Sequence, residues 1–239
     1  MALRDQLRRP LLLILLVVVP AYVVTRSIAT TEATPRLIEL PDGSVIATTM
    51  RELHGAIMAG MTIGFVAALV GVFVMQSALL GDRRLVLAGY RPFEAITARL
   101  LVLISLTALV VAVSALVTAA HFTPMLWPTF LLSLVLIGLI YASIGALAGA
   151  VLDKLAATYL IFFLALTDLG VVQNPMFGDG APADWAVILP GYGPSRLMVG
   201  AAFSPTLHPF DDLVLSLAWV LILGGGAFLV LRRSIGRQG

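Results

Sequence analysis

Six apolar runs, at about residues 10–28, 55–80, 98–120, 126–151, 155–173 and 213–231, constrain this 239-residue chain more than any other feature. A helix needs about 20 apolar residues to cross a bilayer core. The second, third and fourth runs are continuous, the fifth is interrupted by Asp168 near its end, and the sixth, LVLSLAWVLILGGGAFLVL, is uninterrupted. Only 12% of the residues are charged, where soluble domains carry about 25%. A surface so poor in charge must be solvated by lipid, so the expected fold class is an all-α membrane protein of six spans. Cysteine is absent, which removes disulfides and thiolate metal sites.

The first run, PLLLILLVVVPAYVV, follows Arg4, Arg8 and Arg9 and has the look of a secretory leader as well as of a span. It reads as a retained helix, because no good A-x-A site follows it. Pro20 is expected to kink it, and Arg26 to snorkel to the far surface. With the N-terminus inside, the cytoplasmic segments hold Arg4, Arg8, Arg9, Arg83, Arg84, Arg91, Arg99, Lys154, Arg232, Arg233 and Arg237. The external ones hold Arg26, Arg36, Arg51 and Arg196. That bias satisfies the positive-inside rule with both termini inside. The pI near 9.3 is then a matter of topology, not a nucleic-acid footprint.

Two external loops are long. In residues 27–54, Pro-Asp-Gly separates two β-prone stretches and predicts a hairpin pairing 36–40 with 45–49, with Gly43 in the left-handed region. In residues 174–212, apolar pieces broken by Pro and Gly (DWAVILPGYGPSRLMVGAAF) predict short helices dipping into the outer leaflet. Irregular backbone at that depth must be buried in protein or line a cavity. GMTIG (60–64) and GALAG (145–149) are small-residue steps that let helices approach closely, more simply within one subunit than between two. Trp127 and Trp185 fall where an interfacial aromatic belt is expected.

Residues 81–100, GDRRLVLAGYRPFEAITARL, concentrate charge between the second and third runs. RRLVLA reads as a short helical piece stopped at Gly89. Pro92 suits a first helical position, and Glu94 suits the first turn. This is a helix–break–helix elbow on the inner surface, or more simply a basic loop that anchors topology and meets headgroups. The order of features, an acid–base cluster, L-x-L-A-G, a turn, Pro-Phe-Glu and A-R-L, resembles the cytoplasmic loop of ABC-2 type transporter permeases. Six spans, a long loop before the last, and the Asn174-Pro175 and Leu189-Pro190 steps resemble that family too. DLGVVQNPMF followed by ILPGYGPSRLM is similar to small actinobacterial drug-export permeases, including the fluoroquinolone-export type.

The resemblance implies an ABC-2 exporter-like bundle in a bacterial cytoplasmic membrane. It implies one permease subunit, paired with an identical or similar one, and a pair of cytoplasmic ATPase subunits that bind the ATP and Mg. Arg83, Arg84, Leu85, Leu87, Gly89, Tyr90, Arg91, Pro92, Phe93 and Glu94 are then the ATPase-coupling residues. Spans two and five line the path of a hydrophobic or amphipathic substrate: a drug, a lipid or a natural product. MALRDQLRR is shorter than the amphipathic helix many members carry before span one, so that element is expected to be truncated or missing.

The chain itself is not expected to be an enzyme. It lacks G-x-x-x-x-G-K-[ST], and its one lysine lies in VLDKLAA, so ATP hydrolysis belongs to another chain. His54, His121 and His208 lack partners at metal-ligand spacing, and the serine of GYGPSRL lacks a histidine at bilayer depth, so no cofactor, metal or nucleophile site is expected. A lipid-modifying enzyme would need clustered acids or histidines that are absent. A non-transporting assembly or sensor subunit, with the hairpin as receptor, is the alternative. Asp168 is the one acid inside a run, at an insertion cost of about 2.5–3.5 kcal/mol unless it faces protein or water. Either it lines the outer pathway, with Thr62, Gln76 and Thr158 as further polar lining, or it caps the segment after it or pairs with Arg196 or Arg51.

Overall fold

The computed structural model describes residues 10–40, 43–87, 92–177, 183–207 and 209–236, the side chains at 10–13, 15, 78–87, 92, 95 and 234–236 excepted. The described elements, in chain order, begin with α1 (Pro10–Thr30), the strands β1 (Pro35–Glu39) and β2 (Val45–Thr49), and α2 (Met50–Leu87). α3 (Pro92–His121), α4 (Trp127–Val151) and α5 (Lys154–Ala165) follow, and α5 continues as a π-helical segment, Leu166–Val172. A 3-10 turn (Asp184–Ile188), α6 (Tyr192–Phe203) and α7 (Phe210–Gly236) complete the chain. To within a residue each apolar run lies in a helix. Among the described residues, α2, α3, α4, α5 with its π segment, and α7 are long and apolar enough to cross a membrane. This is a helical, multi-pass membrane architecture.

α2 is the central post. It packs against α1, α3, α4 and α5, and its closest partner is α4. That crossing depends on small residues: a methyl at Gly71 would collide with the carbonyl of Ala142, and one at Gly145 with the carbonyl of Ala68. GALAG is therefore used for packing inside the subunit, as is GMTIG, where a Cβ at Gly60 would lie 2.8 Å from Met198 Sδ. α1 lays one stripe on the bundle, Leu16, Pro20, Val24 and Ile28, at helical spacing of four. Outward faces stay apolar: Leu116 is 71%, Val151 80% and Leu221 74% exposed, which suits lipid and not water.

The hairpin pairs Pro35 with Thr49 through Glu39 with Val45, one residue from the expected register, around Gly43 at φ 80°. Ile38 and Leu40 bury its underside. α2 begins at Met50, five residues earlier than the apolar run, because Thr49 and Glu52 form a capping box. Glu52 N–H donates to Thr49 Oγ1 (3.3 Å), and Thr49 N–H donates to Glu52 Oε2 (3.4 Å).

One expectation changes. The short helical piece at 83–88 is not separate: residues up to Leu87 are the last turns of α2. Arg and Leu are good helix formers, and nothing before Gly89 stops propagation. Pro92 is, as expected, the first residue of a 30-residue helix, with Glu94 in its first turn. Gly89, Tyr90 and Arg91, between the two, lie outside the described residues.

Candidate functional site at Asp168

α5 is an ordinary helix to Ala165 and then widens. The N–H of Gln173 donates to Asp168 O, five residues back, at 2.9 Å. Asp168, Leu169 and Gly170 are consecutive and all buried, which a single apolar stripe of an α-helix does not allow. Asn174 ends the segment with both ends of its amide: Nδ2 donates to Gly170 O (3.1 Å) and Oδ1 accepts from Met176 N–H (2.9 Å). Pro175 follows and cannot continue the ladder.

The widened turn carries the Asp168 carboxylate, 1% exposed, into the bundle. There it accepts from three donors on three elements. Tyr141 Oη, on α4, donates to Oδ2 at 2.5 Å. Gln173 Nε2 donates to Oδ1 at 3.1 Å. Gly191 N–H, at the N-cap of α6, donates to Oδ2 at 2.9 Å. The space is cleared by two glycines. A Cβ at Gly191 would lie 2.8 Å from both carboxylate oxygens, and one at Gly64 would lie 2.5 Å from Leu169 Cδ1. Gly191 has φ −78°, so glycine serves here for room and not for a special backbone angle.

Asp168 thus ties the end of α5 to α4 and to the start of α6. The far end of α6 is tied as well: its carbonyls at Ala201 and Ala202 accept from Leu126 N–H (2.9 Å) and Met125 N–H (3.2 Å). A short helix packed among the apolar spans therefore has protein partners at both of its ends. Gln173 Oε1 is the one polar atom of the centre without a partner, and it is buried. The bond to Asp168 fixes which end of that amide faces the carboxylate.

The expected ion pair with Arg196 or Arg51 is not what the structure builds. Arg196 Nε lies 3.0 Å from Asp212 Oδ1 at the start of α7, with its guanidinium over the Tyr192 ring. Arg51 Nε donates to Thr31 O (2.9 Å). Asp168 is held by neutral donors instead, and the backbone N–H it accepts is Gly191 at the start of α6 rather than one of the segment after it.

The other expected lining residues are not brought to this centre. Thr62 is buried and lines a hollow between α1, α2 and α5. Gln76 Nε2 reaches Leu152 O at 3.4 Å, beside the α4–α5 turn. Thr158 Oγ1 donates to Lys154 O (2.8 Å), within its own helix. Of the elbow, Arg83, Arg84, Leu85 and Leu87 lie on the last turns of α2 and Pro92 starts α3; their side chains fall outside the description. Phe93 is 68% exposed, and Glu94 is exposed beside it.

Tyr141 and Gly191 were not expected as partners of Asp168. The signal available was the small number of strong donors inside the runs, Tyr141 among them. Among the described residues there is no group of three or more side chains able to hold a metal ion. The centre is a joint between helices. Compared with models of known protein families and with curated proteins, the chain matches none.

Proposed function

We propose that this chain is the membrane-spanning permease subunit of an ATP-binding-cassette exporter, with six spans, both termini inside, in a bacterial cytoplasmic membrane. In this reading α1 is the sixth span. Two cytoplasmic ATPase subunits supply ATP hydrolysis, and a second permease subunit completes the transporter. The cargo is hydrophobic or amphipathic and leaves along the α2 and α5 faces.

The observation that carries the reading is the length of α2. Its 38 residues measure about 57 Å, against about 30 Å of bilayer core. The excess includes turns at the arginine-rich end, through Arg83 and Arg84 to Leu87. α3 then returns with Phe93 and Glu94 exposed in its first turn. An exposed aromatic next to an arginine-rich helix end suits docking to a soluble partner, where aromatic residues and Arg are enriched.

Affinity purification of the tagged chain in mild detergent tests this. The expected result is recovery of a soluble ABC ATPase that is lost when Arg83, Arg84 and Glu94 are replaced together by alanine, with the chain still in the membrane. Unchanged association of that variant would remove the coupling assignment.

A further inference from the structure

Two hollows run end to end along α2, the first between α1 and α2 and the second between α1, α2 and α5. One, of about 120 Å³, is walled by Leu16, Val19, Phe65, Leu69 and Phe73. The next, of about 170 Å³, shares Val19 and Phe65 and continues past Thr62 to Met58 and Leu166. Together they make one apolar trough. From Met58 to Phe73 on α2 it extends about 22 Å, more than one leaflet, or half of a core of about 30 Å.

One end of the trough is charged. Lys154, the only lysine of the chain, places Nζ 4.8 Å from the centre of the Phe73 ring. Its neighbour Asp153 does not cancel it locally by pairing: Asp153 Oδ1 accepts from Leu155 N–H (2.9 Å) and Ala156 N–H (3.0 Å) and caps α5. The exposed ammonium is the charge offered at the mouth of the trough.

We infer that the trough holds one acyl chain of an anionic phospholipid, whose phosphate sits against Lys154. Each hollow is close to the about 150 Å³ of a cavity that admits benzene, the right scale for a hydrocarbon chain. Met58, Met61 and Phe65 supply a deformable apolar lining. A cation at one end of an interhelical groove selects an anionic headgroup, whereas a zwitterionic one brings its own cation. The lipid would border the α2–α5 face that the transport reading gives to cargo. Its binding requires neither ATP nor a second subunit, so the two ideas fail separately.

Brominated phospholipids provide the test. Phe65→Trp places an indole in the trough, and its emission is read as the difference from the native chain with its three tryptophans. In vesicles, brominated-chain phosphatidylglycerol is expected to quench the added indole at mole fractions where brominated phosphatidylcholine does not. Adding Lys154→Gln should raise the mole fraction needed about fivefold, the worth of one lysine at an anionic surface. Equal quenching by the two lipids, or no effect of Lys154→Gln, would overturn the inference. Quenching by neither would show that protein, such as a second copy of the chain, covers the trough, and would overturn it too. Val19→Trp gives the same reading from the opposite wall if Phe65→Trp does not fold. Native mass spectrometry of the unaltered chain should retain the anionic lipid in preference to the zwitterionic one.

Discussion

Tyr141 and Asp168, 27 residues apart on different helices, meet at 2.5 Å in the interior of the bundle. The phenol is 1% exposed and so is the carboxylate, so each is the other's replacement for water. Tyr141→Phe removes the donor and leaves the carboxylate with Gln173 and Gly191. The expected loss is about 1–3 kcal/mol, read as a lower midpoint of thermal unfolding in detergent. Asp168→Asn should lower it as well, because an amide offers one acceptor oxygen to three donors. Membrane insertion should be unaffected in both.

Glycine substitutions separate crowding from helix propensity. Gly191→Ala drives a methyl to 2.8 Å from both Asp168 oxygens and should cost about 1–3 kcal/mol, as overpacking does. Gly225 lies in α7 with nothing within 4 Å of an added Cβ. Gly225→Ala should be neutral or stabilising by up to about 1 kcal/mol. The same unfolding measurement ranks the two, and the opposite order would count against the Gly191 contact.

Arg196 and Asp212 join α6 to α7 at the hairpin end, with side chains 25% and 12% exposed. Asp212→Asn removes the charge on the carboxyl that faces the Arg196 guanidinium. The loss should exceed the 0–1 kcal/mol typical of a surface pair. A double-mutant cycle with Arg196→Gln checks it: coupling below about 0.5 kcal/mol would mean the pair contributes little.

The long elements could be read from sequence because lipid demands long apolar runs, and because Pro-Asp-Gly and Gly43 dictate a hairpin turn. The early start of α2 was also readable: Thr49 and Glu52 stand three apart, the spacing of a capping box. The π segment was not. A widened turn has no compositional mark, and Asp168 looked like an isolated acid until α4 and α6 were placed around it. Its choice of Tyr141 over Arg196 is a tertiary outcome, since Asp212 lies within reach of the arginine. RRLVLA is not a separate helical piece, because its Arg and Leu residues propagate the helix before them.

Sidedness can be read with single cysteines, because the chain has none of its own. Leu37 on the hairpin is 71% exposed and Phe93 at the opposite end is 68% exposed. With an impermeant maleimide on intact cells, Leu37→Cys should label at once and Phe93→Cys only after permeabilisation. The reverse pattern would invert the positive-inside assignment.

The same two cysteines give the most direct measurement of the proposed function. In membranes carrying the native partner proteins, a bifunctional thiol–amine crosslinker placed at Phe93→Cys should capture an ABC ATPase, with a yield that changes on adding ATP. Leu37→Cys should capture none. If Phe93→Cys yields only the chain itself, or if both positions capture the ATPase equally, the elbow is a topology anchor and the exporter reading fails.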